Sequence, residues 1–347
     1  MNNELQPVEM IECGQRGQRG NLLGIQPFMT AADYVSGEAF TAKLDGYLSS
    51  ASQRGWINER TIVIWPEYIG AWLVIAGEGP RVCDARDLNA AMRALALRHL
   101  PQLAMGLLSA KERDKMAASL FRLKAGSMAA LYQSTFSKLA KKYSATMVAG
   151  SILLPRPTVH NGQVAAGRGA LYNVSAVYRS DGSAYPNLAR KLYPIASELD
   201  FVAAAPANEL FPVFETPAGR LGVLVCADSW YPEPYKQLRS QGVDLIAVPS
   251  YIPENNVWDK PWQGYNGASA PADVDQADVG RLTEGQGWHK YALAGRIRQA
   301  GAKYGMSVFL RGSLWDLRTD GRSILAIAGG QTLEVESSEA AIINVWL

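Results

Sequence analysis

Cysteine and histidine are both scarce, with three of each in 347 residues. The cysteines Cys13, Cys83 and Cys226 cannot build a disulfide framework, and a reducing cytoplasm is the economical location. No Cys/His spacing suits a zinc site, and no Walker-type phosphate loop occurs. Excess charge of one sign is lacking too. Lys and Arg number 34 against 32 Asp and Glu, a net +2 that gives no reason to expect nucleic acid or a lipid surface as partner. Long apolar runs are missing: none reaches the ~18 residues of a membrane span. The opening MNNELQPVEMIECGQRGQRG has no apolar segment of the kind a secretory signal needs. With 48% hydrophobic and 19% charged residues, the composition is that of an ordinary globular protein.

Residues 1–20 are polar and rich in Gly, Gln and Arg, and read as an arm or loop. Gly14, Gly17 and Gly20 follow no evident strand, so a dinucleotide loop is not expected. Asn21–Met29 reads as a first strand, and Ser36–Ser52 carries a helix-spaced stripe of Phe40, Leu44 and Leu48. Thr61–Trp65 (TIVIW) is β-branched and apolar on both faces, as in a covered sheet, and Pro66 stops it. Between about Asp84 and Lys142 the chain turns to Ala, Leu, Met, Lys and Arg, with Pro101 dividing it into at least two helices. Strands are expected at Ala145–Ser151, Gly169–Val177, Leu221–Val225, Asp244–Val248, Ser307–Arg311, Ser323–Ala328 and Ala341–Trp346. Helices are expected near Tyr235–Gln241 and from His289 to Tyr304. Pro253–Gly287 lacks periodicity and reads as a long loop. Buried strands alternating with helices, without repeat or linker, indicate one α/β domain over 21–347.

Ligands in open α/β sheets bind at the carboxyl ends of strands. TIVIW runs directly into Pro66-Glu67-Tyr68, and LGVLV directly into Cys226-Ala227-Asp228. Lys191 lies between them, with Glu198 seven residues later. A thiolate is a strong nucleophile, an ammonium lowers a thiol's pKa and holds an oxyanion, and a carboxylate takes the thiol proton. Glu, Lys and Cys together can therefore carry out acyl transfer without histidine. Taken singly, each has a plainer reading. Cys226 is a small buried hydrophobe, Glu67 an ion-pair partner, and Lys191, beside Arg190, part of a solvated basic face.

The segments IVIWPEYIG, ARKLYPIASELDF and GRLGVLVCADSWYPE resemble the three catalytic blocks of the nitrilase superfamily of carbon–nitrogen hydrolases. VAGS (Val148–Ser151), LYNVSAVYRSDG (Leu171–Gly182) and DLIAVPS follow the same family order. The resemblance implies a four-layer α-β-β-α sandwich that often forms homodimers or higher oligomers, needs no cofactor and acts on a small amide, carbamoyl amine or nitrile. It implies Glu67 as general base, Lys191 as oxyanion stabiliser, Cys226 as nucleophile and Glu198 as a second, orienting glutamate. The amide of Ala227 would be a further oxyanion donor, Tyr68 and Trp230 would shape the pocket, and Asn173 would either bond near the triad or serve a structural role.

Ala227-Asp228-Ser229-Trp230 after the cysteine is closer to amidase and carbamoylase branches, whereas Arg190-Lys191-Leu192-Tyr193-Pro194 is closer to the nitrile branch. Amide hydrolysis is the expectation and nitrile hydrolysis the alternative. The stretches 84–142 and 253–287 exceed compact members of the family. Trp258, Trp262 and Trp288, in or beside the second stretch, either form a binding surface or pin the loop. Rival readings are a Cys–His hydrolase using His160 or His289, with His99 set in a helical stretch, and a binding protein that keeps the fold without the reaction.

Overall fold

The computed structural model describes residues 8–254 and 256–347. Two six-stranded sheets lie face to face. The first runs, in spatial order, Val8–Cys13, Ala340–Trp346, Asn21–Gln26, Thr61–Ile64, Thr146–Val148 and Val177–Tyr178. The second runs Val213–Thr216, Gly219–Val223, Leu245–Ser250, Tyr304–Phe309, Ile324–Ile327 and Gln331–Glu334. The centre of each sheet is parallel: Asn21–Gln26 with Thr61–Ile64 and Thr146–Val148, and Gly219–Val223 with Leu245–Ser250 and Tyr304–Phe309.

Alternation of side chains along a strand sorts these apolar runs onto two faces. Leu22, Ile62, Ile64 and Val148 meet Val223, Ala247, Met306 and Val308 between the sheets. Leu23, Val63 and Met147 face outward onto Phe40 and Leu44 of the helix Gly37–Gln53 and Phe136 and Leu139 of the helix Lys115–Tyr143. Ile246 and Val248 face the other way, onto Tyr235 and Leu238 of Pro232–Ser240 and Leu293 and Ile297 of Leu293–Ala300. The result is the expected four-layer α-β-β-α sandwich. A Cβ on Gly24 would come within 2.2 Å of Met306 Sδ, so the methionine of the facing sheet occupies the space that the missing side chain leaves.

Several expectations need correction. The segment 1–20 is not wholly an arm: Val8–Cys13 is an edge strand parallel to Ala340–Trp346. Its Val8 and Met10 pack to the helix side and Ile11 and Cys13 toward the sheet interface, while exposed Glu9 and Glu12 obscure the pattern. Residues 1–7 lie outside the described residues. Gly14, Gly17 and Gly20 therefore do follow a strand, but they lead into the strand Asn21–Gln26 and not into the helix that a dinucleotide loop requires. Asn21–Met29 is two strands, because Pro27 separates Asn21–Gln26 from Phe28–Thr30, which pairs instead with Arg311–Leu314.

The stretch 84–142 holds Leu88–Arg98 and Leu100–Ser109, with Pro101 in the first turn of the second, and then most of Lys115–Tyr143. That 29-residue helix forms one outer layer together with Gly37–Gln53, so within this stretch only the shorter pair stands outside the sandwich. The expected helix from His289 to Tyr304 is two helices, Glu284–Tyr291 and Leu293–Ala300, and Tyr304 begins a strand. The first of them starts inside the expected loop 253–287. Glycine weakens a helix by about 1 kcal/mol, so Gly285 and Gly287 hid that start. A Cβ on Gly285 would meet the indole of Trp258 at 2.4 Å, which is the physical reason for glycine there.

Candidate active site

Glu67 lies just past the strand Thr61–Ile64, Lys191 directly after Ala189–Arg190, and Cys226 in the turn that follows Gly219–Val223. The lysine strand is held by Leu171–Ser175, whose Asn173 carbonyl accepts the Lys191 N–H at 2.9 Å. All three side chains are at least 95% buried and line one cavity of about 920 Å³. Sequence distances of 124 and 35 residues are thus closed by strand ends that converge at one edge of the sandwich.

Lys191 Nζ bridges two carboxylates, 2.7 Å from Glu67 Oε1 and 2.6 Å from Glu198 Oε2. Asn173 Nδ2 donates to the same pair, at 2.8 Å to Glu67 and 3.0 Å to Glu198. Glu198 also accepts from the Tyr68 hydroxyl at 2.8 Å and from the Ile195 N–H at 2.9 Å. These donors split the two acids. Burial pushes Glu198 up, but Lys191 and the hydrogen bonds outweigh it and hold the group below the usual carboxylate range. Burial dominates at Glu67 and raises it to about 7, with Lys191 pulling the other way. A pair of acids pushed apart in this way separates a proton acceptor from a permanent anion.

Burial and the neighbouring Glu67 raise the Cys226 thiol, while Lys191 opposes them, so the resting group is a neutral thiol that donates to the Tyr251 carbonyl at 3.7 Å. Cys226 has φ +49° and Tyr68 φ +63°, left-handed conformations that cost non-glycine residues of order 1–3 kcal/mol. Each is held from outside. The Tyr68 N–H donates to Ser151 Oγ at 2.9 Å. The cysteine turn is clamped by buried Asp228, whose carboxylate accepts the N–H groups of Val225 (3.2 Å), Leu192 (2.9 Å) and Tyr193 (2.8 Å). Asp228 therefore ties the cysteine turn to the lysine segment. Burial raises its carboxyl to about 7 against the pull of those donors.

Tyr68, Ala227 and Trp230 line the cavity. Asn173 does bond within the Glu–Lys network. Trp230 stacks on Trp262 at 5.6 Å and meets Trp288 edge-on at 5.1 Å. Trp262 and Trp288 line the cavity as well, while Trp258 stacks on Trp288 and donates its indole N–H to Glu334. Loop 253–287 is thus a wall of the cavity. None of the three histidines lines it: His99 bonds Glu78, His289 bonds Glu334, and His160 lies on the hairpin formed by Thr158–His160 and Gln163–Ala165. The Cys–His alternative has no geometry behind it.

Sequence reasoning missed Tyr251, Glu254 and Glu284 on the cavity wall. Tyr251 directly follows the strand Leu245–Ser250, so the strand-end rule pointed to it. Glu284 reads locally as an ordinary first-turn acid after Thr283. Burial raises it to about 7, with the Trp288 indole N–H donating to it at 3.2 Å.

Two facing sheets with an acid, an amine and a thiol at their converging strand ends define the class of protein. The sequence profile described as carbon-nitrogen hydrolase matches residues 39–273, more than half of the chain, and the chain belongs to that family. Its fold is that of solved nitrilase-superfamily amidases. A mutant of the amidase from Nesterenkonia AN1 superposes with a TM-score of 0.58 at 15% identity, covering 96% of this chain and 93% of that one. A second mutant of the same amidase, with the acetamide moiety of fluoroacetamide added to its active-site cysteine, gives 0.57 at 15% identity, with 96% and 92% covered. The N-carbamoylputrescine amidase of Solanum tuberosum is 28% identical over 85 residues, 22% of this chain. That match spans only 28% of the relative's own length. Among the described residues no helix is long and apolar enough to cross a membrane.

Proposed function

We propose that this protein hydrolyses a carbon–nitrogen bond of a small amide or carbamoyl amine through a thioester on Cys226. The observation that carries the reading is the burial of Glu67, Lys191 and Cys226 against one cavity, with both carboxylates on the lysine. Glu67 takes the thiol proton as Cys226 Sγ bonds to the carbonyl carbon. The negative charge that moves onto the carbonyl oxygen meets Lys191 and the Ala227 N–H. The carbon–nitrogen bond then breaks, its electrons and the proton held by Glu67 leave with ammonia or amine, and a thioester remains. Water gives a proton to Glu67 and attacks the thioester carbon, which releases the acid and restores the thiol. Glu198, held by four donors, fixes the lysine and stays ionised. Homodimers, implied by the family resemblance, and a cytoplasmic location, which fits free thiols at Cys13, Cys83 and Cys226, belong to the same proposal.

An ammonia-release screen over short amides, carbamoyl amines and nitriles tests it. Amides or carbamoyl amines are expected to release ammonia, and Cys226→Ala is expected to fall to background. Release from nitriles alone would move the protein to the nitrile branch. Silence across all three, or activity surviving in Cys226→Ala, would overturn the reading.

A further inference from the structure

Beside the catalytic cavity lies a second one, of about 420 Å³, and the two share four wall residues: Tyr68, Trp72, Leu88 and Phe201. Tyr68 is the residue whose hydroxyl holds Glu198, so the shared wall begins at the catalytic network itself. The buried lining of the second cavity is entirely apolar: Ala71, Val74, Ala96, Ala117 and Phe121. Its polar side chains, Asn89, Arg93 and Asp114, are exposed at the rim. The partly buried Tyr68 and Trp72 add one hydroxyl, which is taken by Glu198, and one indole N–H without a partner, so the occupant the cavity fits is mainly hydrocarbon.

The shared wall is anchored from several sides. Trp72 packs edge-on against Trp315 at 6.0 Å. The Leu88 N–H donates to Asp316 Oδ1 at 2.7 Å, and nearby Leu317 lines the catalytic cavity. Phe201 stacks on Phe121 at 5.9 Å. The helix Leu88–Arg98, part of the pair outside the sandwich, supplies Leu88, Met92 and Ala96. That added helix therefore has a use at the site: it roofs an apolar annexe on the side of the catalytic cavity bounded by Tyr68.

We propose that this annexe receives an aliphatic tail of the substrate, so that the preferred substrate is an amide with a medium or long hydrocarbon chain. The inference rests on the amide-hydrolase reading above and adds the substrate class. Binding the tail removes apolar surface from water at about 0.8 kcal/mol per methylene, or roughly fourfold in kcat/KM for each carbon.

A series of straight-chain primary amides from propionamide to dodecanamide tests it. For the unaltered protein kcat/KM is expected to climb roughly fourfold per methylene and then level off where the annexe is full. Ala96→Phe, and the milder Ala117→Leu, should fill the annexe and lower the octanamide-to-propionamide ratio at least tenfold. A ratio unchanged in a variant that keeps the normal unfolding midpoint, or a flat or falling series in the unaltered protein, would overturn the annexe while leaving amide hydrolysis standing. Absence of turnover at every length would instead overturn the hydrolase reading. The annexe is then judged by calorimetric binding of the same amides to Cys226→Ala: affinity rising with chain length supports it, and affinity independent of length removes it.

Discussion

Replacing Glu67 by glutamine is expected to lower kcat/KM about 10²- to 10⁴-fold with the fold retained, the range that general-base catalysis typically contributes. The exchange is close to isosteric. A glutamine oxygen still accepts from Lys191 and Asn173, which lie 2.7 and 2.8 Å from Glu67 Oε1. What is lost is the ability to take a proton. The pH profile supplies a second reading of the same group. Burial places Glu67 near 7, so the unaltered protein should lose kcat/KM tenfold per unit as pH falls below about 7 and the carboxylate protonates. Glu67→Gln should lack that acidic limb. A variant that keeps both the limb and most of the activity would mean that another group accepts the thiol proton.

The second large effect is expected at Lys191, where methionine keeps the length and removes the charge. Loss of one oxyanion donor costs about 10²- to 10³-fold in kcat. Stability should fall as well, by about 3–5 kcal/mol near neutral pH, because two buried carboxylates lose the cation between them. The sign of the pH dependence follows from the same contacts. Without Lys191 the folded-state pKa of Glu67, already raised to about 7, rises further, and that of Glu198 turns from lowered to raised because its burial is no longer opposed by the lysine. Their neutral forms are then tolerated at low pH, and stability is lost as pH rises through the raised values. Urea unfolding should therefore show Lys191→Met close to the parent near pH 4 and well below it at pH 8. Adding Glu198→Gln should recover part of the stability at pH 8 and none of the activity. An equal loss at both pH values would show that the lysine acts through packing alone.

The parts of this site legible in the sequence are those written into short runs. TIVIW and LGVLV are apolar on both faces because each strand is covered by a sheet on one side and a helix on the other. The residues directly after such strands necessarily emerge at a layer edge. Glu67 and Cys226 could be found in that way, and Lys191 and Glu198 became interpretable once the blocks resembled known ones. Features set by distant packing were not legible. Asp228 looks like any turn acid until its carboxylate is seen to hold Leu192 and Tyr193, more than thirty residues away in sequence. The edge strand Val8–Cys13 reads as loop because an exposed glutamate interrupts each of its two faces, Glu12 beside Val8 and Met10 and Glu9 beside Ile11 and Cys13. The stretch 84–142 looked wholly inserted because helical composition does not say whether a helix covers a sheet or stands apart from it. Gly285 and Gly287 hid a helix start for a tertiary reason, the tryptophans packed against them.

The central claim is that the thiol of Cys226 becomes covalently acylated during turnover. Rapid acid quench of the protein with an amide substrate, followed by peptide mapping by mass spectrometry, reads this directly. The expected result is the mass of the acyl group on the peptide containing Cys226, none on those containing Cys13 or Cys83, and none anywhere in Cys226→Ala. Steady turnover with an unmodified Cys226 in the quenched protein of every substrate, or an acyl group carried by another residue, would contradict the account.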